Sequence, residues 1–359
     1  MLRPLLAALA ALACLGAAPA PPGVAQDALM AEAPAPTLSA YRLFTDTAGR
    51  HPNAGLTPYA LNTPLFSDYA LKFRFLYLPP GKAAAYRADG VLDLPVGAAL
   101  VKTFAYPADF RRPDAKVRYL ETRLLIHRPD GWVAYAYVWN DAQTEAMLKR
   151  AGARIEVGFT DAQGQPRTVD YRVPNQNQCK ACHQLDKTLT PIGPKARNLN
   201  GDFDYATGRE NQLAHWSRLG LLTGAPTPAG APRTAHWDDP AEPLDGRARA
   251  YLDANCAHCH NPKGAASNSG LFLSLDETRP VALGIGKAPV AAGKGSGDLR
   301  VGIEPGHPED SILLHRLASD EPGVMMPELG RSITHAEGVA LIRAWIAAMP
   351  TSSQPKQNP

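Results

Sequence analysis

The stretch NQNQCKACHQ, residues 175–184, divides the chain and decides how its fold is read. Upstream, apolar and polar residues alternate with period two. Downstream the alternation stops, and short helix-like runs separated by Pro- and Gly-rich loops take over. The stretch itself holds two cysteines three apart, Cys179 and Cys182, with His183 directly after the second.

Working back toward the N terminus, LKFRFLYL at 71–78 sets Leu71, Phe73, Phe75 and Tyr77 on one side of a strand. Residues 118–140 read as two strands around Pro129-Asp130-Gly131, a hairpin signal. The scheme repeats with Ile155, Val157 and Phe159, a turn at Gly164, then Val169, Tyr171 and Val173. Val91 to Tyr106 adds a strand or two. Several short strands joined by turns predict an antiparallel β-sandwich-like domain over 41–178. Trp132, Tyr135, Tyr137 and Trp139 are expected mainly in its core.

Working forward, the spacing predicts a helix beginning at Gly208 and ending near Gly220. A Pro-rich linker is expected at 225–243, and a helix over 248–260 that runs into a second cysteine pair. Thr334 and Glu337 form a capping-box pattern ahead of a final amphipathic helix that carries Trp345. The fold class expected is therefore α+β and multidomain: the β-sandwich-like domain, then mainly α cytochrome c-type haem domains. The first haem segment would cover 179–240 and the second 241–349, with a polar, disordered tail at 350–359.

The chemistry rests on cysteine arithmetic. A pair at i and i+3 lies on one side of a helical turn. Two such thiols can reach the two vinyl groups along one edge of a porphyrin, and a histidine placed next is held beneath the iron. C-x-x-C-H is thus a pattern for c-type haem attachment with an axial histidine. It occurs twice, as CKACH at 179–183 and CAHCH at 256–260. Cys179, Cys182, Cys256 and Cys259 are expected to hold two covalent haem c groups, with His183 and His260 as proximal iron ligands. The fifth cysteine, Cys14, lies in the N-terminal leader, so no cysteine remains for a structural disulfide. A thioredoxin-like redox pair would be a single copy beside a βαβ pattern. A Cys₄ zinc site would not need a histidine after each pair.

For the distal positions, methionine raises a haem potential. Met326, in Pro-Gly-Val-Met-Met-Pro at 322–327, is the expected distal ligand of the second haem, with Met325 as its neighbour and alternative. No methionine lies between the two motifs, so His215 is the candidate distal ligand of the first haem. Met147 and His127 lie upstream in strand-like territory. If none of these binds, the first iron is five-coordinate. Lys195 and Arg197 are candidates to pair with haem propionates.

Residues 1–25 read as an export signal: Arg3, then LLAALAALACLG, then small residues, with cleavage after Gly23-Val24-Ala25. The apolar run is short for a bilayer span, and Ala11-Leu12-Ala13-Cys14 is a poor lipoprotein box. A flexible Ala/Pro-rich leader is expected at 26–40. The destination implied is the periplasm. A formal charge of +3 argues against nucleic acid as a partner. The partners implied are periplasmic or membrane redox proteins, and nothing sets the oligomeric state. GKAPVAAGKGSG at 286–297 lacks phosphate-loop spacing and reads as a surface loop.

The segments LNTPLFSDYALKFRF, VGAALVKTF, LETRLLI, YVWNDAQTEA, NQCKACH, PIGPKARNLN, AYLDANCAHCHNP and PGVMMPELGRS together resemble a family of exported bacterial dihaem c-type cytochromes, mostly known as hypothetical proteins. The resemblance spans about 41 to 349. It implies two covalent haems and electron transfer, with the haem residues at Cys179, Cys182, His183, Cys256, Cys259 and His260. The C-terminal part is also similar to general cytochrome c domains, whose methionine ligand commonly precedes proline. Here that is Met326 before Pro327, although Glu328 stands where a second proline is often found. The alternative function is a haem enzyme, peroxidase-like or P460-like, using a five-coordinate first haem. In a third reading the β-rich domain docks a partner.

Overall fold

The computed structural model describes residues 23–351. Among the described residues nine strands precede the first cysteine motif: β1 (Leu56–Tyr59), β2 (Leu71–Tyr77), β3 (Ala84–Ala85), β4 (Ala99–Tyr106), β5 (Arg118–Arg128), β6 (Gly131–Trp139), β7 (Ala146–Leu148), β8 (Ala153–Thr160) and β9 (Pro166–Val173). Six of them form one antiparallel sheet in the order β1-β2-β4-β5-β6-β7. The hairpin expected at Pro129–Gly131 joins β5 to β6, and Gly131 takes a positive φ of 119° there, which costs a residue without Cβ little. β8 and β9 make a separate hairpin around Gly164.

The sheet is covered on both faces, by the N-terminal segment, by helices and by the two-stranded β8–β9 sheet. Val101, Leu124, Tyr135 and Tyr137 on one face pack against Leu29, Leu38, Tyr41 and Leu43 from the N-terminal segment. On the other face Leu76, Leu100 and Leu125 meet Leu199, Leu213 and Trp216, while Phe104, Leu120 and Ala136 meet Val157, Phe159 and Tyr171 of the β8–β9 hairpin. The segment 26–40, expected to be a flexible leader, is therefore a cover for the sheet. It contains a short helix α1 (Gln26–Met30), and Leu29 is fully buried.

After Val173 the helices are α2 (Gln176–His183), α3 (Ala196–Leu199), α4 (Gln212–Arg218), α5 (Leu244–Asn255), α6 (Ile312–Ala318) and α7 (Ala336–Ala347). These are few and short. The structure as a whole is 22 % helix and 26 % strand. The expected architecture, a β-sandwich-like domain followed by mainly α cytochrome c-type haem domains, is overturned. One six-stranded sheet dominates the first part. The second part is largely irregular chain, with two small ribbons, Gln184–Leu185 with Thr188–Leu189 and Asp202–Tyr205 with Gly208–Asn211. The chain's 34 prolines and 30 glycines give a physical reason, since both residues stop helices from extending.

Local differences follow the same logic. The helix expected from Gly208 starts at Gln212, because Asn211 caps it by accepting from the Leu213 and Ala214 amides and the residues before it pair as a ribbon. The helix expected to reach His260 stops at Asn255. Thr334 and Glu337 form no capping box. His335 is the N-cap residue, and the Thr334 hydroxyl donates instead to the Ala318 carbonyl. The 225–243 stretch is tied down, since Thr234 N–H donates to Arg197 O and Trp237 N–H to Thr63 Oγ1.

Behind the second motif, α5 and α7 share a core of Tyr251, Leu252, Leu273, Ile303, Leu341, Ile342, Trp345 and Ile346. This part is bonded to the sheet part. Asp68 accepts from Ser332 N (2.7 Å), Ser332 Oγ (3.0 Å) and Ile333 N (3.1 Å). Tyr69 O–H donates to Glu337, and Phe66 N–H to the Asn255 side chain. Residues 1–22, with most of the expected export signal, and 352–359, with most of the tail, lie outside the described residues.

Candidate functional site

The first motif sits on α2 because a reciprocal capping box starts that helix. Gln178 N–H donates to Asn175 Oδ1, and Asn175 N–H to Gln178 Oε1, both at 2.9 Å. Cys179 and Cys182 thus share one turn, and His183 closes the helix. The His183 ring is oriented by a hydrogen bond from Nδ1 to the Thr190 carbonyl at 3.0 Å. Burial pushes its pKa down to about 4. The imidazole is neutral at pH 7 and its Nε2 can serve as a ligand atom.

The second motif is a turn rather than a helix. Cys256 caps α5, and its carbonyl accepts from Cys259 N (3.1 Å) and His260 N (2.9 Å). Asn261 closes the turn through Nδ2 to the Ala257 carbonyl at 2.7 Å. Gly264 packs so tightly under it that a Cβ there would lie 2.3 Å from the Cys259 carbonyl oxygen. His260 Nδ1 is 3.3 Å from Ser269 Oγ, and burial again holds the ring pKa down to about 4. Burial pushes the Cys256 thiol up to about 12.

The structure brings the two motifs together. The Cys182 and Cys259 side chains hydrogen-bond to each other, and that bond is the main reason the Cys182 thiol is held low and the Cys259 thiol raised. Cys259 Sγ also lies 3.9 Å from the Ala181 carbonyl oxygen. Cys182 and His183 of the first motif face one cavity, and Cys256, Cys259 and His260 of the second face another, while Cys179 lines neither. A cavity of about 600 Å³ is lined by Cys182, His183, His127, Trp132, Lys195 and Arg197. A second, of about 430 Å³, is lined by Cys256, Cys259, His260 and Met326, with Leu273 and Ile303 among its apolar walls. Cys182 and His258 border both. Among the described residues no three His, Cys, Asp or Glu side chains converge as a metal-binding group, so the four thiols are not assembled as a Cys₄ site.

The other expected ligands fall on both sides of the line. Met326 lines the second cavity, whereas Met325 is buried in the protein. The loop that carries Met326 is held by Arg331. Its Nη2 donates to the carbonyls of Met326 (2.9 Å) and Ser319 (2.8 Å), and Met326 N–H donates to Arg316 O (2.9 Å). His215 lines neither cavity. Its ring stacks on Tyr205 at 3.5 Å, and Nδ1 is 2.7 Å from Glu210 Oε2. It lies on α4, away from His183. Met147 is exposed on β7. Lys195 and Arg197 line the first cavity but are bound to buried Asp253, at 3.1 and 2.9 Å. Burial works to raise the Asp253 carboxyl, and the two cations more than reverse it, leaving its pKa below the usual range.

One feature of the site escaped the sequence reading. Arg74, Lys102 and Arg123 are direct cross-strand partners on β2, β4 and β5, so three cations share one row of the sheet. Lys72 is two residues along the same face. Like charges directly opposite are destabilising. Phe104 offsets part of this, with Lys102 and Arg123 over its ring at 4.5 and 4.2 Å, and Glu121 pairs with Arg123. Arg74 is 7 % exposed, and its Nη2 has no hydrogen-bond partner. Burial pulls the Lys72 pKa down to about 7. Arg123 acts electrostatically on Cys179, and Lys102 on His183. The basic residues in LKFRF, LVKTF and LETRL were visible as letters, but only the strand register puts them in one row.

Comparison with known protein families, with curated proteins and with solved structures returned no match.

Proposed function

We propose that the chain is an exported dihaem c-type cytochrome that passes electrons between redox partners in the periplasm. The observation that carries this is the pairing of cavities with motif histidines: His183 lines one cavity and His260 the other, each ring neutral and hydrogen-bonded at Nδ1. The residues present fit the cofactor. Cys179 and Cys182 would attach one haem and Cys256 and Cys259 the other, with His183 and His260 as proximal ligands. Met326 would be the distal ligand of the second.

Bound haem c supplies one-electron chemistry at iron. The chain supplies the rest. The Thr190 carbonyl and the Ser269 hydroxyl fix the ring planes of the two proximal histidines, as outer-sphere partners of metal-bound histidines do. Arg331 fixes the sulfur-bearing loop, so little of it needs to move when the charge on the site changes. Leu273, Ile303, Ile312 and Leu313 give the second cavity an apolar wall. Lys195 and Arg197 line the first cavity already paired with Asp253, so the charge they offer an anionic cofactor there is shared with that carboxylate. Cys182 borders both cavities, which supports a short route for electrons between the two sites. No helix among the described residues is long and apolar enough to cross a membrane.

The test is the intact mass of protein expressed together with a cytochrome c maturation system, alongside pyridine haemochrome quantitation. The expected result is two covalent haems per chain, falling to one in C179A/C182A and to the other one in C256A/C259A. Protein that carries no covalent haem under these conditions, or holds zinc at its thiols, would overturn the reading.

A further inference from the structure

The first cavity contains a third histidine prepared in the same way as the two motif histidines. His127 is near the end of β5 and lines the cavity with His183. Its Nδ1 is 2.8 Å from the Leu94 carbonyl oxygen, the counterpart of the His183 bond to Thr190. A ring whose Nδ1 donates to a carbonyl is the tautomer with its lone pair on Nε2, which is the state a metal needs. Among the described residues no hydrogen bond uses that Nε2. The ring plane is fixed as well, because His127 stacks face to face on its cross-strand partner Trp132, with centroids 4.6 Å apart and planes within 6°. The backbone is equally constrained: His127 N–H donates to Ala98 O (2.9 Å), and its carbonyl accepts from Gly97 N (2.7 Å).

The rivals are less prepared. His215 is committed to Glu210 and Tyr205 and lies outside the cavity. His258 borders the cavity, but its side chain hydrogen-bonds to Cys182, and its Nδ1 is buried without a partner. No fixed acceptor sets its tautomer, and its contact with a thioether-forming cysteine places it at the margin of a bound porphyrin.

We infer that His127 is the distal ligand of the iron held at His183, so that the sheet supplies one axial ligand and α2 the other. This rests on the dihaem reading above. It makes the first site bis-histidine and the second histidine–methionine. Because methionine raises the potential, the second haem is then the more oxidising of the two, and electrons run from the first site to the second.

The experiment is low-temperature electron paramagnetic resonance and near-infrared magnetic circular dichroism on the oxidised dihaem protein. The wild type is expected to show one bis-histidine and one histidine–methionine low-spin haem. H127G should convert the bis-histidine signal to high-spin, and added imidazole should restore it. H127M should replace it with a second sulfur-to-iron charge-transfer band and raise that haem's potential. H258A should leave both low-spin signals in place. A bis-histidine signal that survives in H127G, or disappears in H258A instead, would overturn the inference, as would a high-spin first haem in the wild type. Haem quantitation on the same samples separates the two readings: two covalent haems with unaltered ligation in H127G refutes the ligand assignment alone, whereas absence of haem refutes the function.

Discussion

His335 should make the fold acid-sensitive, and the size of the effect can be worked from its surroundings. The ring stacks on Phe66 at 4.1 Å, Nδ1 is 3.1 Å from the Tyr251 hydroxyl, and Trp237 closes one side at 4.8 Å. Burial pushes its pKa from an ordinary 6.5 down to about 4. Glu337, 3.6 Å away, works in the opposite direction, and Lys72 and Arg331 reinforce the burial. The folded state thus binds the proton less readily than the unfolded chain. Stability from the neutral ring is complete above about pH 6.5 and is lost as pH falls toward 4. Between pH 7.5 and 4.5 this amounts to about 2 to 3 kcal/mol, since each tenfold difference in proton affinity between the folded and unfolded chain is worth about 1.4 kcal/mol. The perturbation is His335→Phe, which keeps the ring packing and cannot titrate. Urea unfolding of both proteins at pH 7.5, 6.0 and 4.5, followed by circular dichroism, gives the difference in stability at each pH. That difference should move by about 2 to 3 kcal/mol against the wild type on acidification. A difference that stays constant across the three pH values would refute the reasoning, because a lost hydrogen bond to Tyr251 alone is a fixed offset.

Three further outcomes are expected. Met326→Ala should abolish the sulfur-to-iron band of the second haem and lower its potential while Met325→Ala does neither, as checked by spectroelectrochemistry; the opposite pattern would move the ligand to Met325. Asp253→Asn strands Lys195 and Arg197 beside each other in a buried site and should cost about 3 kcal/mol in urea unfolding, the scale for breaking a buried ion pair; a loss under about 1 kcal/mol would show that water screens the triad. Gly264→Ala drives a Cβ into the Cys259 carbonyl and should cost about 1 to 3 kcal/mol through overpacking, with haem occupancy falling at the second motif and not the first.

What the sequence disclosed was local. The Pro129–Gly131 hairpin, the Gly164 turn and the alternation in 153–173 were legible because turn chemistry and period two act over a few residues. The cysteine motifs were legible for the same reason. The architecture after Val173 was not. Helix-like periodicity at 208–220 and 248–260 was real, but Asn211 and Cys256 cut both helices short through hydrogen bonds that no pattern of apolar residues announces. The burial pattern of β2 was not legible either. Leu71, Phe73, Phe75 and Tyr77 do share a side, yet Phe73 is exposed and Arg74 is buried, because both faces of the sheet are covered. The distal side of the first site depended on tertiary contacts throughout. His215 lies between the two motifs in sequence yet is spent on Glu210, while His127, upstream of both, reaches the cavity through the pairing of β5 and β6.

The bonds from Asp68 to residues 332 and 333 join positions 264 and 265 apart in the chain. A ribosome must release the chain past residue 333 before they can close. The sheet can pair early, from neighbours in sequence, but the loop that follows Met326 cannot take its place until residues 332 and 333 arrive and find Asp68 waiting. A chain cut ahead of Ser332 should therefore leave the earlier strands paired but unlatched.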